Sequence, residues 1–111
     1  MIKAVFSERG GRVVGFKMSG HSGAAAEGND IVCAAVSGAV QCVIAVIDEE
    51  LGFAECLSAR ELPENVVSCD ISSLSGDNAA VAEIVLGGFE KLMEMWEKDF
   101  PKNISVKKQF I

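Results

Sequence analysis

With 111 residues, half of them hydrophobic, the chain has the length of one compact domain spanning residues 1–111 and should bury roughly 65% of the surface its unfolded form exposes. A formal charge of −6, with Lys102, Lys107 and Lys108 as the only local basic cluster, argues against a surface built to neutralise phosphates, so direct nucleic-acid binding is not expected. The longest apolar stretch, residues 31–47, is interrupted by Ser37 and Gln41 and falls short of the roughly 20 residues a membrane helix needs, so it reads as a buried core helix and no membrane is expected.

Residues 2–7 and 12–19 are β-like runs separated by Glu8-Arg9-Gly10-Gly11, where two glycines can take the positive φ angles of a tight hairpin. In the second run Val13, Gly15 and Lys17 alternate with Val14, Phe16 and Met18, as expected for a sheet covered on one side. That strand delivers His21 at its end. Residues 22–29 hold two glycines and three alanines and no bulky apolar side chain, so little burial offsets the backbone entropy and a mobile flap is expected, with Gly20, Gly23 and Gly28 as the glycines of a flexible loop over substrate.

Asp30 (or Asn29) can cap a helix, and Val32, Val36, Val40, Val43 and Ile47 then form its apolar stripe, predicting a helix over residues 30–51. Ala35, Ala39, Ile44 and Val46 extend the apolar character around it, which implies burial on more than one side. Residues 53–59 read as a short strand and residues 65–71 as a longer one, with Pro63-Glu64-Asn65 as the turn between them. A second helix is expected from an Asp77 or Asn78 cap to Phe100-Pro101, with Val81, Ile84, Val85, Gly88, Leu92, Met95 and Trp96 at helical spacing. Gly87-Gly88 in its middle costs roughly 1 kcal/mol per glycine and predicts close approach of a neighbouring backbone. Residues 104–110 alternate as a final strand. The sum is an α+β two-layer sandwich in the order ββα-β(β)-αβ, with two helices on one face of a mainly antiparallel sheet.

The chemistry concentrates at the junction of flap and first helix. Cys33 would sit in the first helical turn, where unpaired N–H groups and the helix dipole favour thiolate over thiol. His21, the only histidine, could take the thiol proton and return it to a leaving amine if the loop folds the two together. Asp30 reads either as a cap or as a carboxylate orienting His21. Ser37, one turn after Cys33, shares its helix face and could reach the site or bond back to its own helix. Cys42 and Cys69 read as small buried hydrophobes, and Cys56 has no acid–base partner nearby in sequence. Widely spaced cysteines and a single histidine lack the close ligand pairs of a zinc site, so neither metal nor cofactor is expected. The same spacing, in a chain that opens Met1-Ile2-Lys3-Ala4-Val5 without the pattern of a secretory signal, suits a reducing cytoplasm with four thiols.

Gly20-His21 followed by Asp30-Ile31-Val32-Cys33-Ala34-Ala35-Val36-Ser37 resembles the ribosomal-processing cysteine protease family, Prp, over nearly the whole chain in length and element order. The resemblance implies a thiol endopeptidase that removes the short N-terminal extension of a bacterial large-subunit ribosomal protein, cutting after an aromatic residue. It makes His21 the general base and Cys33 the nucleophile, with Asp30 and Ser37 in supporting roles. It also implies a homodimer and a loop that orders over bound peptide, although this chain has Ala24-Ala25-Ala26 where family loops commonly carry a bulkier residue. The alternatives from other classes are a non-catalytic, ribosome-associated peptide-binding module and a thiol redox sensor.

Overall fold

The structure is a computed structural model that describes residues 1–20, 30–60 and 65–111. The chain forms β1 (Ile2–Arg9), β2 (Arg12–Ser19), α1 (Ile31–Ile44), β3 (Leu57–Arg60), β4 (Val66–Asp70), α2 (Gly76–Asp99) and β5 (Ile104–Phe110). The strands make one sheet in the order β3-β4-β2-β1-β5. Each neighbouring pair is antiparallel except β1 with β5, which run parallel. The α+β sandwich expected from the sequence is therefore the fold, with one parallel pair at its edge.

The hairpin turns as its glycines demand, with φ of 61° at Gly10 and 79° at Gly11, a conformation that side chains with a Cβ resist. Its register opposes Ala4 to Met18 and Phe6 to Phe16, and Phe16 in turn faces Cys69 on β4. Because successive residues alternate faces, these side chains share the covered side of the sheet. There Phe89 of α2 packs edge-on against Phe16 and Phe6, with ring centroids 5.1 and 5.6 Å apart. Val36, Val40 and Val43 of α1 and Ala82, Leu86 and Met93 of α2 join the same core, so both helices cover that face.

Gly15 is a glycine for a steric reason, since a Cβ there would lie 2.7 Å from the Cys69 carbonyl oxygen. Gly87 and Gly88 are the opposite case. The predicted close approach is absent, because a Cβ on either would meet nothing within 4 Å.

Further expectations change in α1, in α2 and in the segment between them. The first helix continues past Ile44 as a π-helical stretch, Ala45–Glu50, in which the Leu51 N–H donates to the Val46 carbonyl five residues back at 2.9 Å. This widened turn seats Ile47 at 0% exposure, and Gly52 closes it at φ 77°. The continuous helix over Ile31–Glu50 has 20 residues with a mean hydropathy of 2.1, so it does reach the length and apolarity of a membrane span. It is also not buried on several sides. Val32, Val36, Val40, Val43 and Ile47 face the core, whereas Ile31, Ala34, Ala35 and Ala45 are exposed. In α2 the helix starts at Gly76, after Ser75. Asp77 therefore belongs to its first turn, where a carboxylate meets the positive end of the dipole, and neither Asp77 nor Asn78 caps it. The expected short strand over 53–59 is a 3-10 turn, Ala54–Cys56, running into β3. The turn expected at Pro63-Glu64-Asn65 falls mostly outside the described residues.

Candidate active site

Asp30 closes the N-terminus of α1. Its backbone is extended, with φ −83° and ψ 101°, and its Oδ1 accepts the Cys33 backbone N–H at 3.0 Å. Its carbonyl oxygen accepts the Ala34 N–H, also at 3.0 Å. Two helix-start amides thus bond to one residue, which is itself buried. The capping reading of Asp30 holds, and it locks the backbone that carries Cys33.

Cys33 is half-buried in the first turn of α1 and opens onto a cavity of about 650 Å³. One wall of the cavity comes from α1, where Ser37 and Gln41 follow Cys33 at one-turn intervals on the same face. The opposite wall comes from the start of β1 and the end of β2 through Ile2, Met18 and Gly20. Val66 and Val67 of β4 and Arg60 at the end of β3 complete it. Its interior is mainly apolar, with Ser19, Ser37, Gln41, Arg60 and Asn65 as polar groups, which is the character of a groove for an extended peptide. Gly20 lines this wall. It holds φ 86°, and a Cβ there would overlap the Met1 carbonyl oxygen. His21, Gly23 and Gly28, together with the flap expected over residues 22–29, lie outside the described residues.

The other cysteines are placed in settings unsuited to attack. Cys69 is 3% exposed, and burial, then Cys56 and Asp70, push its thiol up to about 12. Burial, then Glu55 and Asp70, also raise the Cys56 thiol. Both therefore stay protonated at neutral pH. Cys42 is exposed on α1, not buried as expected, and is not among the residues lining the Cys33 cavity. Among the described residues that line this cavity Cys33 is the sole cysteine, so a redox reading lacks its resolving thiol there.

Ser37 is legible from the sequence as a helical neighbour of Cys33. Gln41 was missed, although a second step of one turn would have found it. Ile2, Met18 and Arg60 carry no local signal, because strand pairing alone brings them to the groove.

A family profile described as cysteine protease Prp matches residues 1–105. The chain belongs to this cysteine protease family. Among solved structures, SMU.848 from Streptococcus mutans is similar over 100% of this chain and 96% of its own, at 24% identity and a TM-score of 0.81. The essential ribosomal processing protease Prp from S. aureus, in complex with a covalently linked product peptide, matches 98% of this chain and 100% of its own, at 19% identity and a TM-score of 0.78. The same S. aureus protein with a substrate peptide matches at 19% identity and a TM-score of 0.71. A comparison with curated proteins gave no match. At these identities the Prp structures share the fold, and the family match is what makes this chain a Prp-type cysteine protease.

Proposed function

We propose that the chain is a thiol endopeptidase that removes the short N-terminal extension of a bacterial large-subunit ribosomal protein, with Cys33 as nucleophile and His21 as general base. The observation that carries the reading is the position of Cys33, held in the capped first turn of α1 at the wall of an apolar groove. The S. aureus Prp that shares this fold was captured with substrate and product peptides, which supports a peptide as the ligand of the corresponding groove here.

In this reading the Cys33 thiolate attacks the scissile carbonyl and the C–N bond breaks as His21 passes its proton to the leaving amine. Water then hydrolyses the thioester and frees the enzyme. The Cys33 amide is committed to Asp30, which leaves the Ile31 and Val32 amides as the helix-start donors for the oxyanion. Apolar walls from Ile2, Met18 and Val67 suit a bulky apolar side chain next to the cleaved bond. Asp30 and Ser37 have supporting roles, the first by fixing the helix start and the second by facing the groove.

The reading includes a cytoplasmic homodimer that does not bind nucleic acid directly. A sequence pI near 4.7 supports the last point. The exposed Ile31, Ala34, Ala35 and Ala45 give α1 an apolar outer face for a second copy, and sedimentation velocity measures whether it forms.

Incubation with a peptide spanning the extension and the cleavage site tests the activity by mass spectrometry. Wild type should give two fragments, and Cys33→Ala and His21→Ala should give none. Binding of the peptide without cleavage by wild type would instead identify a non-catalytic module.

A further inference from the structure

The two helices cover one face of the sheet, and register with alternation fixes what the other face presents. Ile2, Ala4 and Phe6 of β1 are buried against the helices, so Lys3, Val5 and Ser7 point the other way. Val5 opposes Lys17 of β2 on one side and Lys107 of β5 on the other, and Lys3 opposes Ser19 and Ser105. With strands roughly 4.8 Å apart and alternate residues roughly 6.8 Å apart, Lys17 and Lys107 stand about 10 Å from each other across Val5, and Lys3 stands about 8 Å from each. All three lysines are exposed. They come from three different strands, so only strand pairing gathers them.

Among the described residues none of the three lysines has an ion-pair partner, since the ion pairs there engage Arg12 and Lys108. The carboxylate that the register places on this face, Asp70 opposite Gly15, is already held. Its Oδ1 accepts the Ser72 hydroxyl at 2.6 Å and the Ser72 amide at 2.9 Å, and Arg9 supplies a cation beside it. Three like charges within about 10 Å, the screening length at 0.1 M salt, repel one another. A chain of formal charge −6 thus carries an uncompensated positive patch on its bare sheet face.

We propose that the open sheet face around Val5 docks an acidic, extended segment of a polypeptide partner, its carboxylates on Lys3, Lys17 and Lys107. In an extended chain alternate side chains lie roughly 6.8 Å apart on one side, close to the spacing of the lysines, so a segment with a carboxylate at every second position can pair with at least two of them. Val5, half-buried among the lysines, gives apolar contact, and Ser68, opposite Lys17, gives a hydroxyl. Nucleic acid fits this face less well. Phe6 and Phe16 face the helices, so no aromatic ring stands among the lysines for a base to stack on, and a long polyanion would run from three cations onto a surface that is acidic overall. The proposal does not rest on the peptidase reading, because none of the three lysines lines the Cys33 groove.

Titration of the ¹⁵N-labelled protein with the peptide Ac-Glu-Ala-Glu-Ala-Glu-NH₂ tests it. Saturable amide shifts centred on Val5, Lys17 and Lys107 are expected, absent with the matching glutamine peptide and weakened several-fold between about 50 and 300 mM sodium chloride. Lys17→Gln should weaken binding about threefold, the scale of one exposed ion pair. Lys3→Gln, Lys17→Gln and Lys107→Gln combined should abolish saturation, and because all three positions are exposed the core is left untouched. Lys91→Gln, on α2, should change nothing. Failure of the wild type to saturate, equal shifts from the glutamine peptide, or saturation retained by the triple variant would overturn the proposal, as would a decauridylate that binds the same lysines more tightly than the peptide.

Discussion

Asp30 fixes the nucleophile's backbone through two hydrogen bonds at the start of α1. Asp30→Ala should therefore cost about 1 kcal/mol and lower Tm by about 4 °C, whereas Asp30→Asn keeps a capping oxygen and should melt within a degree or two of wild type. Thermal denaturation of the two variants separates capping from charge. The cysteines divide on the same physical grounds. A thiol held up to about 12, as at Cys69, supplies almost no thiolate at neutral pH, and Cys56 is shifted the same way. Replacing Cys42 or Cys56 by serine should leave peptide cleavage within about twofold of wild type in the mass-spectrometric assay, a change of well under 1 kcal/mol. Asp30 and Cys33 were legible in the sequence because capping is a local event within four residues. Arg60, Met18 and Ile2 were not, because nothing near them in sequence records which strand they oppose.

The glycines show how an element can be read correctly while one of its residues is misread. Gly15 touches the Cys69 carbonyl through the space a Cβ would need, so Gly15→Ala should push β2 and β4 apart and cost about 1–3 kcal/mol. Gly87→Ala and Gly88→Ala meet nothing, so each should stabilise α2 by about 0.5–1 kcal/mol. Urea denaturation measures both signs. The boundaries of β5 and of β2 and the place of the hairpin turn followed from alternation and from the paired glycines, which are local signals, whereas β1 runs two residues further than expected, to Arg9. The π-helical turn after Ile44 did not, since its cause is tertiary, namely the seating of Ile47 in the core. An apolar helix likewise looks the same in sequence whether its second face meets protein or solvent, which is why α1 reads as buried on several sides although one face is exposed in the single chain.

At the scale of the whole molecule, stability should respond to pH through Glu90 and Asp70 in opposite senses. Glu90 has its pKa raised above the ordinary 4.5, chiefly by burial, so the folded state binds that proton more tightly than the unfolded state does. Its carboxylate is a net burden at neutral pH, and stability should rise as pH falls from above the raised pKa toward 4.5. Glu90→Gln should remove that rise and be at least as stable as wild type at pH 7. Asp70 has its pKa lowered from 3.8 by the hydroxyl and amide of Ser72, so its contribution is present above 3.8 and lost as pH falls through the folded value. Chemical denaturation of wild type and Glu90→Gln between these limits reads the difference. The two-layer arrangement also explains the site, because β2 ends where α1 begins and the groove forms between them. The central claim is that Cys33, at that junction, is the attacking atom. It is tested most directly by treating the protein with a chloromethyl ketone carrying the extension sequence up to the cleaved bond and mapping the adduct by peptide mass. One equivalent on Cys33, lost in His21→Ala, is the predicted result, and modification of Cys42, Cys56 or Cys69 in its place would contradict it.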